Sequence, residues 1–344
     1  MVTLNWGIAG CGWVARDYVG PAIKASRNGR LAAVFDPAAA SLHQAMCLGV
    51  ACHSDLAAFL ATPGLNAVYV AAPNHAHRSL VEAAASAGLP VLCEKPMATT
   101  LSDAEAMVAA CSRAGVLYAT AFDQRFHAAH RALAGLIREG RLGTVTAIRI
   151  VYACWLPADW GVSSAGSGDN WRIDPARAGG GALMDLAPHG LDLSCYLLDE
   201  PLVDVAAIGQ ARVHHYTVED GALLMARSRS GVMVQMHVAY NCPETLPRRR
   251  LEVVGTAGQA VATDTMGQTA GGTLELIDAA TGVTEPVLVP GADRSPFLNQ
   301  VEAFADAALG GPAFPFPPAH DLSIMALVLR AQAMAKPPEA HRAA

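Results

Sequence analysis

Leu4-Asn5-Trp6-Gly7-Ile8-Ala9-Gly10-Cys11-Gly12-Trp13-Val14-Ala15 is the stretch that decides the fold. Residues 4–9 read as a short apolar strand, and a helical stretch follows through about Ser26. Between them lies G-x-G-x-x-A. Gly10 permits a tight turn, Gly12 lets backbone approach a pyrophosphate, and Ala15 allows a helix to pack closely on the strand. Trp13 and Val14 open the helix, whose first N–H groups are free to meet phosphate oxygens. A second strand, residues 31–35, ends in Asp36, placed where a carboxylate can bind the ribose of a dinucleotide. The alternative is a glycine turn with an incidental surface aspartate.

The alternation continues outward. Residues 67–71 read as a strand, 79–87 as a helix, 90–93 as a strand, 103–114 as a helix with Ser102 as its N-cap, and 116–121 as a strand. Strands and helices of these lengths predict a parallel, doubly wound sheet with right-handed crossovers, ending near residue 122. The chain has 344 residues, more than one core usually holds, so a second domain is expected. Hydrophobic residues make up 52% and charged residues 16%, which excludes a disordered chain. A net charge of -6 offers no general attraction to nucleic acid or an anionic membrane. No apolar run reaches the ~18–20 residues of a membrane span, and the first residues do not read as a secretory signal. The eight cysteines form no C-x-x-C pair, and no metal-ligand spacing is present. They read as reduced thiols of a cytoplasmic protein. Arg248-Arg249-Arg250 is the basic cluster, expected on a solvated strand edge or subunit contact.

Lys95 follows the apolar run Val91-Leu92-Cys93 and Glu94, and precedes Pro96, which restricts the lysine backbone to extended conformations. The carboxyl ends of parallel strands are where open α/β sheets bind ligands, so Lys95 stands at the mouth of a cofactor cleft. Ala72, Asn74, His75 and His77 follow another strand at the same edge; His75 could equally be an exposed loop residue. If Asp36 is the ribose carboxylate it would repel the 2′-phosphate of NADP. Residues 37–41 supply no Arg or Lys to hold that phosphate, so NAD is expected over NADP. Alcohol oxidation needs a general base near neutral pH, and histidine suits it. His189 lies four residues after Asp185, on one face of a helix, with Asp192 a turn further on. Asp185 could also cap that helix, with Pro188 in its first turn. Asp192 could serve the site or hold an arginine. Arg125 and Arg172 are candidates for cofactor or substrate contacts, or for structural ion pairs. Trp155, Asp159, Trp160 and Trp171 flank a polar loop suited either to a polyol ring or to a subunit contact.

Three blocks carry a specific resemblance: the glycine pattern at 10–15, Ala72-Pro73-Asn74-His75-Ala76-His77, and Glu94-Lys95-Pro96. Trp171-Arg172-x-Asp174-Pro175, then Gly179-Gly180-Gly181-Ala182-Leu183-Met184-Asp185 with His189 and Asp192, extend it, as does the block 251–258. The chain is thereby similar to the Gfo/Idh/MocA family of glucose–fructose oxidoreductase and inositol dehydrogenase, over residues 4 to about 330. The resemblance implies an N-terminal Rossmann domain (1–122) and a C-terminal α/β domain (123–336) with a large, mostly antiparallel sheet. It implies hydride transfer between a nicotinamide and a sugar, cyclitol or related alcohol. Lys95, Asp185 and His189 carry over as the catalytic residues; Lys95 either joins the proton relay or holds the nicotinamide in register. Ala121-Phe122-Asp123-Gln124-Arg125-Phe126 departs from the polar residues the family often has before its Arg-Phe segment, and Pro188 precedes His189.

Period-two segments at 222–226, 232–238, 250–254 and 273–277 read as an antiparallel sheet. One face needs helices and the other often packs on a second subunit, which predicts a homodimer or homotetramer. Residues 296–309 and 319–335 read as closing helices, 312–318 as a rigid connector, and 337–344 as a mobile tail. Alternatives to the dehydrogenase are a glycoside hydrolase using NAD for transient oxidation and elimination, and a non-catalytic NAD-binding sensor.

Overall fold

The computed structural model describes residues 3–160 and 170–335; the expected tail and the middle of the loop after Trp160 lie outside them. The described residues form two compact units. One draws on Met1–Ala121, Asp159–Gly179 and Phe297–Met325, the other on Phe122–Ala158, Gly180–Pro296 and Ala326–Ala344.

The first unit is built on strands β1 (Leu4–Ala9), β2 (Gly29–Phe35), β3 (Ala51–His53), β4 (Ala67–Val70), β5 (Val91–Glu94) and β6 (Tyr118–Ala121). They pair in parallel in the order β3-β2-β1-β4-β5-β6. Strand order reverses between β1 and β4, and there the glycine loop and residues 71–76 leave the sheet on the same edge, the ligand-binding crevice of such folds. β4 is buried along its whole length and β5 along all but its last residue, as a sheet covered on both faces requires. The helix His77–Ser86 starts two residues before the expected position. The helix Leu101–Ala114 is capped by Thr100, not Ser102. Thr100 has extended backbone and its hydroxyl accepts from the Asp103 N–H at 3.1 Å, whereas Ser102 is already helical. The helix Pro296–Ala308 docks on this sheet: the Phe304 ring lies 5.3 Å from Trp6, and Asn28 Nδ2 donates to the Glu302 carbonyl at 2.9 Å.

The second unit carries β7 (Val145–Ala153), β8 (Leu202–Gln210), β9 (Gly221–Ser228), β10 (Met233–Ala239), β11 (Arg249–Gly255), β12 (Gly258–Thr263), β13 (Thr273–Asp278) and β14 (Thr284–Pro286). Their order is β14-β13-β12-β11-β7-β10-β9-β8, antiparallel except for the β7–β10 pair. Alternation puts Ile148, Ile150 and Tyr152 of β7 and Leu251 and Val253 of β11 on one buried face. The helix Ala182–Leu198 packs against that face. A Cβ on its Gly190 would meet the Met236 methyl at 2.4 Å, so a side chain there would push the helix off the sheet. The opposite face leaves Ile208, Leu223, Met225 and Met233 exposed.

Candidate active site

In the first unit the glycine loop and the ends of β2 and β4 surround a cavity of about 870 Å³, a usual size for a small-molecule or cofactor site. Of the residues proposed from sequence for the cofactor, Gly10, Gly12, Trp13, Asp36 and Ala72 line it; Val14, Asn74, His77, Glu94, Lys95 and Arg125 do not. The two glycines do different work. Gly10 has φ +97°, and a Cβ there would stand 2.5 Å from the Ala72 nitrogen and 2.7 Å from the Ala71 carbonyl. A Cβ on Gly12 meets nothing within 4 Å. Gly10 is thus demanded by the protein, whereas the bare backbone at Gly12 leaves room for a ligand. Asp36 accepts from the Cys11 N–H and the Ala38 N–H, both at 2.9 Å, which ties the carboxylate to the glycine loop. A loop free of side chains, a helix N-terminus and a carboxylate at the end of β2 fit a nicotinamide dinucleotide.

Trp160 and residues 170–177 contribute to the wall of this cavity. The Arg172 guanidinium lies 4.6 Å from the Trp171 ring and 4.8 Å from Trp160, and Trp160 meets Trp13 edge-on at 5.5 Å. Trp160, Asn170, Trp171, Arg172 and Arg177 line the same cavity as Gly10 and Asp36. Arg172, expected among substrate contacts, therefore shares the dinucleotide cavity. Trp155, grouped with it by sequence, belongs to the second unit, where its ring sits 4.7 Å from His214.

Two expected cofactor residues, His77 and Asn74, meet backbone carbonyls of neighbouring segments. The fully buried His77 ring holds the Ala72 carbonyl (2.9 Å) and the Pro96 and Met97 carbonyls (3.1 and 3.3 Å). Burial pushes its pKa down to about 4, against the upward pull of these carbonyls. Asn74 donates to the Ala178 carbonyl at 2.8 Å. Between them they tie the segment after β4 to the Glu-Lys-Pro loop and to residues 175–178. Glu94 accepts from the Tyr69 hydroxyl at 2.7 Å and from the Lys95 N–H at 3.2 Å, so the lysine's own backbone is anchored; the Lys95–Pro96 bond is cis.

In the second unit the helix Ala182–Leu198 presents Asp185 and His189. Asp185 does not cap it: Gly181 is the N-cap, and Asp185 lies in the first turn with Pro188 beyond it. The cap comes from Glu219, whose Oε1 accepts from the Gly181 and Leu183 N–H groups at 2.9 and 3.1 Å and whose Oε2 accepts from Gln332 at 3.1 Å. Burial raises the Glu219 pKa, and these hydrogen bonds oppose it. Asp185 Oδ2 accepts from the Tyr240 hydroxyl at 2.8 Å. His189 is buried; its Nδ1 lies 3.2 Å from Asp123 Oδ1, off the line of a hydrogen bond, and neither ring nitrogen has a hydrogen-bond partner among the described residues. Gln124 holds the other Asp123 oxygen at 2.9 Å, and the Tyr152 ring meets His189 edge-on at 5.5 Å. Arg125 forms a buried two-pronged ion pair with Asp192, its Nε donating to Oδ2 at 2.7 Å.

Asp123, Tyr240 and Glu219 were not singled out by the sequence reading. Asp123 sits in the departing segment 121–126, the one local signal available; the other two are joined to the helix only by folding. The basic cluster is also divided. Arg250 is exposed and paired with Glu252, but the Arg248 side chain is only 18% exposed and Arg249 is directed inward.

A nucleotide-binding parallel sheet and a unit carrying an Asp–His helix define a dinucleotide-dependent oxidoreductase. Residues 4–122 match the oxidoreductase family with the NAD-binding Rossmann fold, and residues 130–261 match the GFO/IDH/MocA C-terminal domain. The chain is 34% identical over 277 residues to 1,5-anhydro-D-fructose reductase of Ensifer adhaerens, covering 80% of each. It is 32% identical to D-apiose dehydrogenase of Paraburkholderia graminis, covering 73% of this chain and 65% of that one. Its fold superposes on aldose–aldose oxidoreductase from Caulobacter crescentus with a TM-score of 0.83 at 26% identity, covering 96% and 98% of the two chains. This protein belongs to the Gfo/Idh/MocA oxidoreductase family, with an NAD(P)-binding Rossmann domain.

Proposed function

We propose that the protein is an NAD-dependent dehydrogenase or reductase acting on a secondary alcohol of a sugar, cyclitol or sugar derivative, with Lys95, Asp185 and His189 handling the proton. The observation that carries this reading is His189. It is a buried imidazole with both nitrogens unbonded and a carboxylate beside Nδ1, the condition of a base whose partner is a substrate. A bound nicotinamide supplies the hydride acceptor. Asp123 stands beside Nδ1, leaving Nε2 for the substrate hydroxyl. Asp185, fixed by Tyr240, receives a second hydroxyl or shares the proton. Lys95 donates to the reacting oxygen, or holds the nicotinamide ribose.

Asp36 supports NAD over NADP, since its carboxylate stands where a 2′-phosphate would be repelled. Arg16, which also lines the cavity, is already engaged by Asp17 and Gln44. The hydrolase alternative is not favoured by relatives named as reductases and dehydrogenases. The exposed Ile208, Leu223, Met225 and Met233 support a homodimer or homotetramer joined through this face of the large sheet. No described helix is long and apolar enough to cross a membrane, and the free cysteines agree with a cytoplasmic enzyme.

The test is NAD reduction against aldoses, inositols and deoxysugars. Turnover with at least one class, abolished by Lys95→Met while NADH binding persists, is the expected result. Near-normal turnover in Lys95→Met would remove the lysine from the chemistry, and a higher specificity constant with NADPH than with NADH would overturn the cofactor preference.

A further inference from the structure

Arg249 opens β11 on the helix-covered face of the large sheet, directly across from Tyr152. Its guanidinium makes no ion pair or hydrogen bond among the described residues, and its Nε is buried without a partner. Arg249 is half-buried, and a charge partly withdrawn from water is normally paired, because leaving it without a counter-ion is costly.

The acids of this region are nevertheless within reach of the same tyrosine. The Tyr152 hydroxyl is held far above its ordinary pKa first by burial and next by Asp123, while Arg249 opposes and Asp185 adds to the rise. Those carboxylates are engaged elsewhere: Asp123 accepts from Gln124 and Asp185 from Tyr240.

The guanidinium is also connected to the Asp123–His189 pair through two residues, Gly267 and Gln124. Gly267, at φ +136°, lies so close that a Cβ there would stand 2.6 Å from Arg249 Nη1. The same glycine is gripped by the Gln124 side chain, which accepts from its N–H at 3.3 Å and donates to its carbonyl at 2.9 Å. Gln124 in turn holds Asp123, whose other oxygen faces His189. The missing side chain at 267 leaves the space that the guanidinium fills.

We propose that Arg249 receives an anionic group of the substrate, so that the preferred substrate is a sugar acid or sugar phosphate and not a neutral polyol. The inference rests on the dehydrogenase reading above and adds a charge to its substrate. Carboxylate and phosphate share the planar or tetrahedral oxyanion chemistry that a guanidinium fork matches with two parallel N–H donors.

The test compares D-glucose and D-galactose with D-glucuronate, D-galacturonate and the two hexose 6-phosphates. NAD reduction is followed for each, and binding is measured by calorimetry in the presence of NADH. An anionic member should exceed its neutral parent at least tenfold in kcat/KM or affinity, about 1.4 kcal/mol; whether uronates or phosphates do so identifies the group. Arg249→Gln should collapse that ratio towards one, Arg249→Lys should restore part of it, and Arg250→Gln, on the exposed side of the strand, should leave it unchanged. Neutral sugars matching or exceeding the anions, or a ratio that survives Arg249→Gln, would overturn the proposal. Anion binding that depends on Arg249 without any NAD reduction would sustain the anion site and overturn the dehydrogenase reading instead.

Discussion

One substitution made at two neighbouring glycines separates folding from cofactor binding. At Gly10 an alanine must adopt φ +97°, a left-handed conformation costing about 1–2 kcal/mol. Its methyl would also stand 2.5 Å from the Ala72 nitrogen and 2.7 Å from the Ala71 carbonyl. These are backbone atoms at the end of a buried strand, and relieving such an overlap costs about 1–3 kcal/mol. Gly10→Ala should therefore destabilise the protein by about 2–5 kcal/mol. Gly12 has no positive φ, and its new methyl would touch nothing. Gly12→Ala should leave stability unchanged or raise it by up to about 1 kcal/mol, through the lost freedom of the unfolded chain. The same methyl occupies the space for the pyrophosphate, so NADH affinity should fall at least about fivefold, the lower end of an overpacking cost of about 1–3 kcal/mol. Urea unfolding without cofactor and NADH fluorescence titration read the two effects. A Gly12→Ala protein with the wild-type Kd, or a Gly10→Ala protein with the wild-type urea midpoint, would refute the reasoning.

Other outcomes follow from the same contacts. Asp123→Asn should lower kcat roughly 10- to 100-fold, part of the ~10²–10⁴ of general-base catalysis, while NADH affinity holds; an unchanged kcat would deny Asp123 its role as the residue that positions His189. Glu219→Ala should cost about 1–3 kcal/mol, because two N–H groups at the buried start of the Asp185 helix lose their acceptor; an unchanged urea midpoint would contradict this. Burial lowers the pKa of His130 to about 3 and of His77 to about 4, both below the ordinary value of 6.5. The unfolded chain then takes up more protons, so stability is complete above pH 6.5 and is lost as pH falls towards the folded values. Each histidine should remove about 2 kcal/mol by pH 5. His130 is satisfied when neutral, with Nδ1 2.8 Å from the Gln124 carbonyl and Nε2 2.9 Å from the Thr265 hydroxyl. Urea unfolding at pH 7.5 and pH 5 tests this, and equal stability at the two would contradict it.

Local pattern was enough for five of the six strands of the first sheet: each is a short, largely apolar run closed by a turn, and glycine at 10 and 12 with acid at 36 is a spacing readable along the chain. The edge strand β3, three largely exposed residues, carries no such pattern and was not read. The sheet of the second unit was read only in part. β7 carries exposed Thr146 and Arg149 among its apolar residues and was passed over. The cap at Thr100 was missed by two residues because Ser102 offers the same chemistry, and only the backbone angles distinguish them.

The residues proposed for hydride and proton transfer are legible in sequence alone: a glycine loop with its acid, a lysine between glutamate and proline, and an aspartate and a histidine one helical turn apart. Their partners were decided by folding. Asp123 and His189 are 66 positions apart, Asp185 and Tyr240 are 55 apart, and Glu219 reaches back 38 to cap the helix. No local periodicity encodes such distances, because each contact is set by sheet register and helix packing. Arg249 illustrates the same division. In sequence it is the middle of three equivalent arginines; on β11 the alternation of side chains turns Arg250 to water and leaves Arg249 half-buried across from Tyr152.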